Sequence, residues 1–209
     1  VGGGFGVRFR LPRSFLALST VDLALVVVMA ALLKAHLIAA IEGSLVALLF
    51  AVQHAMIIVF TFTHQPTRTL KRPRYEVALA WAGTLLPLTL RPGGTALIAE
   101  AWVLVAAGSV LATTAILSLG RSFGMEPAHR GLQVGGLYRF VRHPIYAAYL
   151  LIVIGFLLMA FSWWNSLVAL GWFSVQVLRI RQEEQLLSAD PNYRTYEKTV
   201  RYRIIPGVW

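Results

Sequence analysis

Hydrophobic positions run along this chain in long blocks rather than in the spaced stripe of a half-buried soluble helix. The blocks fall at roughly 15–33, 44–63, 76–90, 95–119, 145–161 and 163–178, and a helix needs ~20 apolar residues to cross a bilayer. The pattern predicts an all-α fold: a polytopic membrane bundle of five to six transmembrane helices with a cytosolic helical tail. The third block, YEVALAWAGTLLPLTL, is short and holds Pro87, so it predicts a tilted, kinked or partly inserted segment. The opening VGGGFGVRFRLPR is too basic and glycine-rich for a signal-peptide core. With no evident cleavage site before Lys34, the first block reads as retained.

Between the blocks the polar segments differ in character. GRSFGMEPAHRGLQVGG, with Gly120, Gly124, Gly131, Gly135, Gly136 and Pro127, predicts irregular backbone. At membrane depth such backbone lines a cavity or is buried in protein. Residues 163–178 follow a turn at Ser162-Trp163-Trp164-Asn165. Beyond them, Gln182 to Lys198 predicts a helix broken near Asp190-Pro191, where Asp190 suits an N-cap and proline the first helical position. No long linker divides the chain, so 1–209 reads as one membrane domain. Within it, 1–119 is a transmembrane scaffold, and 120–209 holds a loop, a helical hairpin and the tail.

Composition sharpens the class. Hydrophobic residues make up 57% and charged residues 13%, against about 25% charged in soluble domains. The absence of cysteine excludes disulfides, thiolate-bound metal and cysteine nucleophiles. The net charge of +10 suggests nucleic acid only until its distribution is examined. With six spans and the amino terminus inside, 17 of the 19 cations fall in inner segments and only Lys34 and Arg91 lie outside. That is the positive-inside pattern, and it predicts cytoplasmic termini in a cytoplasmic membrane if the source is prokaryotic.

Two motifs carry candidate chemistry. LYRFVRHPIYAAYL places a basic, aromatic, proline-marked turn before the fifth block, and RIRQEEQLL follows the sixth. A hairpin returns both to one membrane face. Pro144 suits the first turn of a helix, where free backbone N–H groups and the positive dipole end favour an anion, and Arg139 and Arg142 reinforce this. Tyr146, Tyr149 and Leu150 share one helix face. An interfacial belt of Tyr and Arg explains the same residues. Glu183 and Glu184 point ~100° apart; a solvated face with Arg179 paired to Glu183 and Arg181 to Glu184 is the plainer alternative. Asp22, His54 and Glu100 lie inside blocks, where ionisable groups signal function or a polar helix contact. His36, His64 and His129 show no metal-ligand spacing, so no metal is expected.

From roughly Leu119 to Pro206 the chain resembles the membrane-embedded methyltransferases typified by isoprenylcysteine carboxyl methyltransferase, a group that includes the phospholipid methyltransferases. The resemblance rests on GLYRFVRHPIYAAYL, on the EE of RQEEQLL and on DPNYRTYEKTVRYRIIP. It implies S-adenosylmethionine in a cytoplasm-facing site formed by Val134, Gly135, Leu137, Tyr138, His143, Pro144, Tyr146, Tyr149, Glu183 and Glu184. It implies catalytic roles for Arg142, Glu183 and a tail arginine, Arg201 or Arg203, with Arg201 the first choice. The His143 backbone and the helix start suit the cofactor's carboxylate, a glutamate its ammonium or ribose, and tyrosine faces its sulfonium. Arg142 suits a bidentate contact with an anionic acceptor. The acceptor is expected to be a lipophilic carboxylate, amine or thiol entering from the bilayer. Rival readings are an NADPH-dependent membrane reductase of the sterol-reductase type, expected to show more cations and an Arg-Asp pair, and a non-catalytic scaffold or small transporter. A transporter often has inverted repeats, and none is evident.

Overall fold

The computed structural model describes residues 18–63, 73–124 and 132–209. Seven α-helices appear among them: α1 Thr20–Ile41, α2 Leu45–Thr63, α3 Arg74–Leu85, α4 Trp102–Leu119, α5 Pro144–Met159, α6 Trp163–Leu187 and α7 Pro191–Thr199. The basic residues Arg8, Arg10, Arg13, Arg68, Lys71, Arg72 and Arg130, with His64, Pro127, His129 and Gly131, lie outside the described residues. α1, α2 and the stretch Ala99–Ser122 are long and apolar enough to cross a membrane, and α5 is a shorter apolar helix. α6 is mainly apolar up to Leu178 and ends in the polar RIRQEEQLL. The chain is a helical membrane bundle.

The helix starts and stops have local causes. α1 begins five residues later than the hydrophobic block, because Ser19 and Asp22 form a reciprocal capping box. Asp22 is therefore a cap at the end of the span rather than an intramembrane acid. α1 also runs on to Ile41, past Lys34, so the window 15–33 was set too early. Pro87 converts the end of the third block into a 3-10 turn, Leu86–Thr89, which leaves α3 only 12 residues long. Asp190 caps α7, with Pro191 at the first position. Glu100 is exposed in a short 3-10 turn ahead of α4.

Packing follows small residues. α4 lies directly against α5, with Ala101, Ser109, Ala112, Ala115 and Ala148 buried between or beside them. A Cβ on Gly108 would sit 2.8 Å from the Ala148 carbonyl, and one on Gly155 would sit 2.9 Å from the Ala101 carbonyl. Small residues let the backbones approach where lipid offers no hydrophobic drive. α2 packs on α4 and on α1, while α3 and the 3-10 turn after it pack on α6.

The end of the bundle opposite the α6 carboxy terminus is closed by one side chain. Asn165, fully buried, donates through Nδ2 to the carbonyls of Arg91 (3.0 Å) and Ala160 (2.7 Å) and accepts from the Arg91 N–H (3.0 Å). The α5–α6 turn is thereby fixed to the chain entering α4, and Thr95 pairs with Phe161 beside it. Deeper, Trp172 Nε1–H donates to the Gly83 carbonyl, and that glycine leaves room for the Arg179 side chain.

These contacts set opposite signs for two glycine substitutions. Gly155→Ala is expected to lower the thermal midpoint in detergent, because a backbone carbonyl blocks the new methyl. Gly171→Ala, whose Cβ meets nothing within 4 Å, is expected to raise stability by up to about 1 kcal/mol through helix propensity. Equal effects would mean that α4 and α5 are not in close contact.

Candidate functional site

The Arg-His-Pro corner is held by the carboxy-terminal tail. Pro144 occupies the first position of α5 with His143 ahead of it, as the sequence predicts. After α7 the chain runs extended and lies alongside. Arg142 N–H donates to the Tyr202 carbonyl (2.9 Å) and His143 N–H to the Arg203 carbonyl (2.8 Å). Both donors are thus spoken for. The expectation that the His143 backbone receives a carboxylate does not fit this arrangement.

Those side chains converge with the end of α6. The His143 ring lies between the two glutamates, with Nδ1 3.5 Å from Glu183 and Nε2 3.3 Å from Glu184. Tyr146 O–H donates to Glu183 Oε1 at 2.5 Å. Arg203 Nε–H donates to Glu184 Oε2 at 2.7 Å, and Arg142 Nη2 lies 3.3 Å from Glu184. The other arm of the Arg142 guanidinium pairs with Glu197 of α7. Three carboxylates thus meet two guanidinium groups and an imidazole. Arg179, on the same face of α6, lies over the Tyr146 ring.

The cluster sets its own protonation. Burial would lower His143, but its hydrogen bonds to Glu183 and Glu184 and their charges outweigh that and raise its pKa. Burial would raise Glu183, yet the His143 hydrogen bond and charge, with Arg179 and Tyr146, hold it below the carboxylate range. Glu184 is held down against burial by His143, Arg203 and Arg142. Burial pushes Tyr196 up to about 12, so its neutral O–H donates to the Tyr138 carbonyl at 2.6 Å. Tyr193 is raised by burial as well and stays a neutral hydroxyl.

Above this cluster opens a cavity of about 510 Å³, within the range of small-molecule sites. The lining includes Tyr138, Arg142, His143, Tyr146, Arg179 and Glu183; the rest is walled mainly by apolar side chains of α1, α2, the 3-10 turn after α3, α5 and α6. Among the buried polar atoms of residues on its wall, Tyr193 O–H, Gln53 Oε1 and Arg142 Nε have no partner. Unsatisfied buried groups are uncommon and call for an explanation.

Of the residues named from sequence, Tyr138, Arg142, His143, Tyr146, Tyr149 and Glu183 line this cavity, and Val134, Gly135, Leu137, Pro144, Glu184 and Arg201 do not. Glu184 acts behind the wall as the hub for Arg142, His143 and Arg203. Gly135 and Leu137 build the 3-10 turn that delivers Tyr138; the adjacent Gly136, at φ +60, sits so close to Ser118 that a Cβ would lie 2.6 Å from its hydroxyl. Val134 is half exposed. Arg201 points outward, exposed, and Arg203 is the tail arginine that meets Glu184. Arg142 is 6% exposed; its two terminal nitrogens meet Glu197 and Glu184, and its Nε has no partner. The plainer pairing of Arg181 with Glu184 is also not the arrangement observed.

Sequence reasoning passed over Gln53, Gln176, Tyr193 and Glu197. A glutamine inside each of two apolar blocks, and tyrosines three apart on one face of α7, were the available signals.

The two titration directions give a stability window. The His143 contribution is complete below its unfolded value of 6.5 and is lost as pH rises through the raised folded value. The glutamate contribution is complete above 4.5 and is lost as pH falls through the depressed values. The thermal midpoint is therefore expected to fall from mildly acidic toward alkaline pH, and His143→Gln to flatten that limb. An alkaline limb that His143→Gln leaves unchanged would mean that this imidazole is uncharged in the fold.

No curated protein matches the chain. A family model does: residues 91–191, just under half of the sequence, match phospholipid methyltransferase. The matched stretch runs from the residue pinned by Asn165, through α4, α5 and α6, to the start of α7, and so contains the His143–Glu183–Glu184 cluster. Over that stretch the chain is similar to the phospholipid methyltransferases.

Proposed function

We propose that the protein transfers a methyl group from S-adenosylmethionine to a lipophilic acceptor, at the cytoplasmic end of the cavity. The observation that carries this is the cavity's polarity: a charged, tyrosine-rich end at the bundle face, continuous with an apolar space at bilayer depth. A water-soluble donor and a lipid-borne acceptor need both environments in contact.

The donor set suits the cofactor. Glu183 presents a carboxylate to an ammonium or a ribose diol. Tyr193 offers a buried hydroxyl without a partner, available to a ribose or adenine. Tyr146 and Tyr149 present ring faces, which attract a cation within about 6 Å. When bound, the cofactor supplies a methyl group on a sulfonium, an electrophile that needs alignment more than proton transfer. The chain's task is then positioning, and orientation alone lowers a barrier by up to ~7–11 kcal/mol. His143 and Tyr146 fix the Glu183 carboxylate from two sides, while Glu184, Arg142 and Arg203 hold the corner that carries His143. The apolar wall excludes water, which would otherwise compete for the methyl. The charge distribution along the sequence, with 17 of 19 cations in segments assigned to one side, supports a cytoplasmic opening.

Calorimetry with S-adenosylhomocysteine tests this reading. Glu183→Ala is expected to weaken binding more than ~10-fold, about 1.4 kcal/mol. Arg203→Ala is expected to weaken it by loosening Glu184, and Arg201→Ala to leave it within ~2-fold. Unchanged affinity in Glu183→Ala would remove that carboxylate from the site. Thermal protection by NADPH in place of S-adenosylhomocysteine would point to a reductase, since only a ligand of the native state raises the midpoint.

A further inference from the structure

The charged end does not account for a second polar cluster on the same wall. His36 of α1 and His54 of α2 stack with ring centroids 5.0 Å apart and planes inclined by 19°, and Phe50 borders both. Each imidazole donates Nδ1–H to the carbonyl four residues earlier, His36 to Leu32 (2.8 Å) and His54 to Phe50 (2.5 Å). In the neutral rings that leaves Nε2 as a lone pair. Among the described residues neither Nε2 has a hydrogen-bond partner. Gln53, 4% exposed, donates Nε2–H to Tyr149 Oη at 3.1 Å and keeps Oε1 unpartnered. His36, Gln53 and His54 all line the cavity. The cluster therefore offers three unpartnered acceptors, His36 Nε2, His54 Nε2 and Gln53 Oε1, beside the Tyr149 O–H and the second Gln53 N–H.

Its depth restricts what can complete it. His54 is the middle residue of α2, about 14 Å from either end at ~1.5 Å per residue. The charged groups on the wall, Arg142, Arg179 and Glu183, come instead from the start of α5 and the end of α6. Tyr149 joins the two regions, about 9 Å along α5 from His143. A phosphate, carboxylate or ammonium at the depth of His54 would be a buried charge without a counter-ion, which is costly. A neutral hydroxyl or thiol is not, and it both donates to one of these unpartnered acceptors and accepts from Tyr149 O–H or the Gln53 amide.

We propose that Gln53, His54 and His36 form the recognition site for the methyl acceptor, and that the acceptor is a neutral hydroxyl- or thiol-bearing apolar molecule rather than a charged phospholipid headgroup. This rests on the methyltransferase reading of the same cavity. A matched pair of probes separates the two claims: 4-octylphenol and its methyl ether, which differ by one donor. Their binding to detergent-solubilised protein is measured by thermal shift, with and without S-adenosylhomocysteine. The wild type is expected to bind the phenol at least ~10-fold more tightly than the ether, about 1.4 kcal/mol. His54→Phe keeps the ring stack and Gln53→Met the volume; in both, the preference is expected to fall within ~3-fold while S-adenosylhomocysteine affinity is retained. Equal binding of phenol and ether to the wild type, or a preference that survives both substitutions, overturns the acceptor site. Failure of S-adenosylhomocysteine to bind, with the phenol preference intact, overturns the methyltransferase reading and leaves the hydroxyl-recognition site standing.

Discussion

The structure depends on a charge cluster that no single segment can satisfy. Glu183 and Glu184 end α6, Arg142 and His143 precede α5, and Arg203 and Glu197 belong to the tail. Removing one partner from such a buried group leaves a charge uncompensated, at a cost of about 3–5 kcal/mol. The cluster therefore fixes the ends of the hairpin and the path of the tail together. Its members do not act alike: Glu183 faces the cavity, whereas Glu184 is turned inward as a hub. Adjacent carboxylates thus divide into one that lines the cavity and one that holds its wall.

The same cluster explains why the cavity has two ends of different character. Charge is confined to the bundle face, where Tyr146 and Arg179 lead into the apolar interior. Behind it, the close approach of α4 and α5 over Gly108 and Gly155 gives that wall little freedom to collapse. At the far end Asn165 fixes the α5–α6 turn. Rigidity from these contacts suits a reaction whose main demand on the protein is alignment. The match of residues 91–191 to phospholipid methyltransferase covers the elements that build the charged end; α1 and α2, which carry His36, Gln53 and His54, lie outside it.

Much of this was legible in the sequence. Hydrophobic block length gave the helices, and the Asp190-Pro191 cap appears where local rules place it; the turn expected at Ser162–Asn165 falls instead at 160–162, because Ser162 caps α6 and Trp163–Asn165 form its first turn. The convergence of the Arg-His-Pro corner with the glutamates followed from hairpin geometry. What escaped was set by tertiary partners. Nothing local says that the Arg142 and His143 N–H groups pair with the tail rather than wait for an anion. Extended backbone after α7 decides between Arg201 and Arg203, and a sequence does not reveal which way such a strand faces. Asp22 looked intramembrane only because apolar residues continue on its amino-terminal side, where Ser19 makes it a cap. In the sequence His54 is a single polar residue in an apolar block and Gln53 gives no signal of its own; the fold sets them beside His36 and Tyr149.

The central claim is that the charged end of one amphipathic cavity cradles an activated methyl donor. Ultraviolet crosslinking of labelled S-adenosylmethionine to the purified protein, followed by peptide mapping, tests it most directly. Label on peptides containing Tyr146, Glu183 or Tyr193, displaced by excess S-adenosylhomocysteine, is the predicted result. Displaceable label confined to peptides remote from the α5 start, the α6 end and α7 would contradict the account.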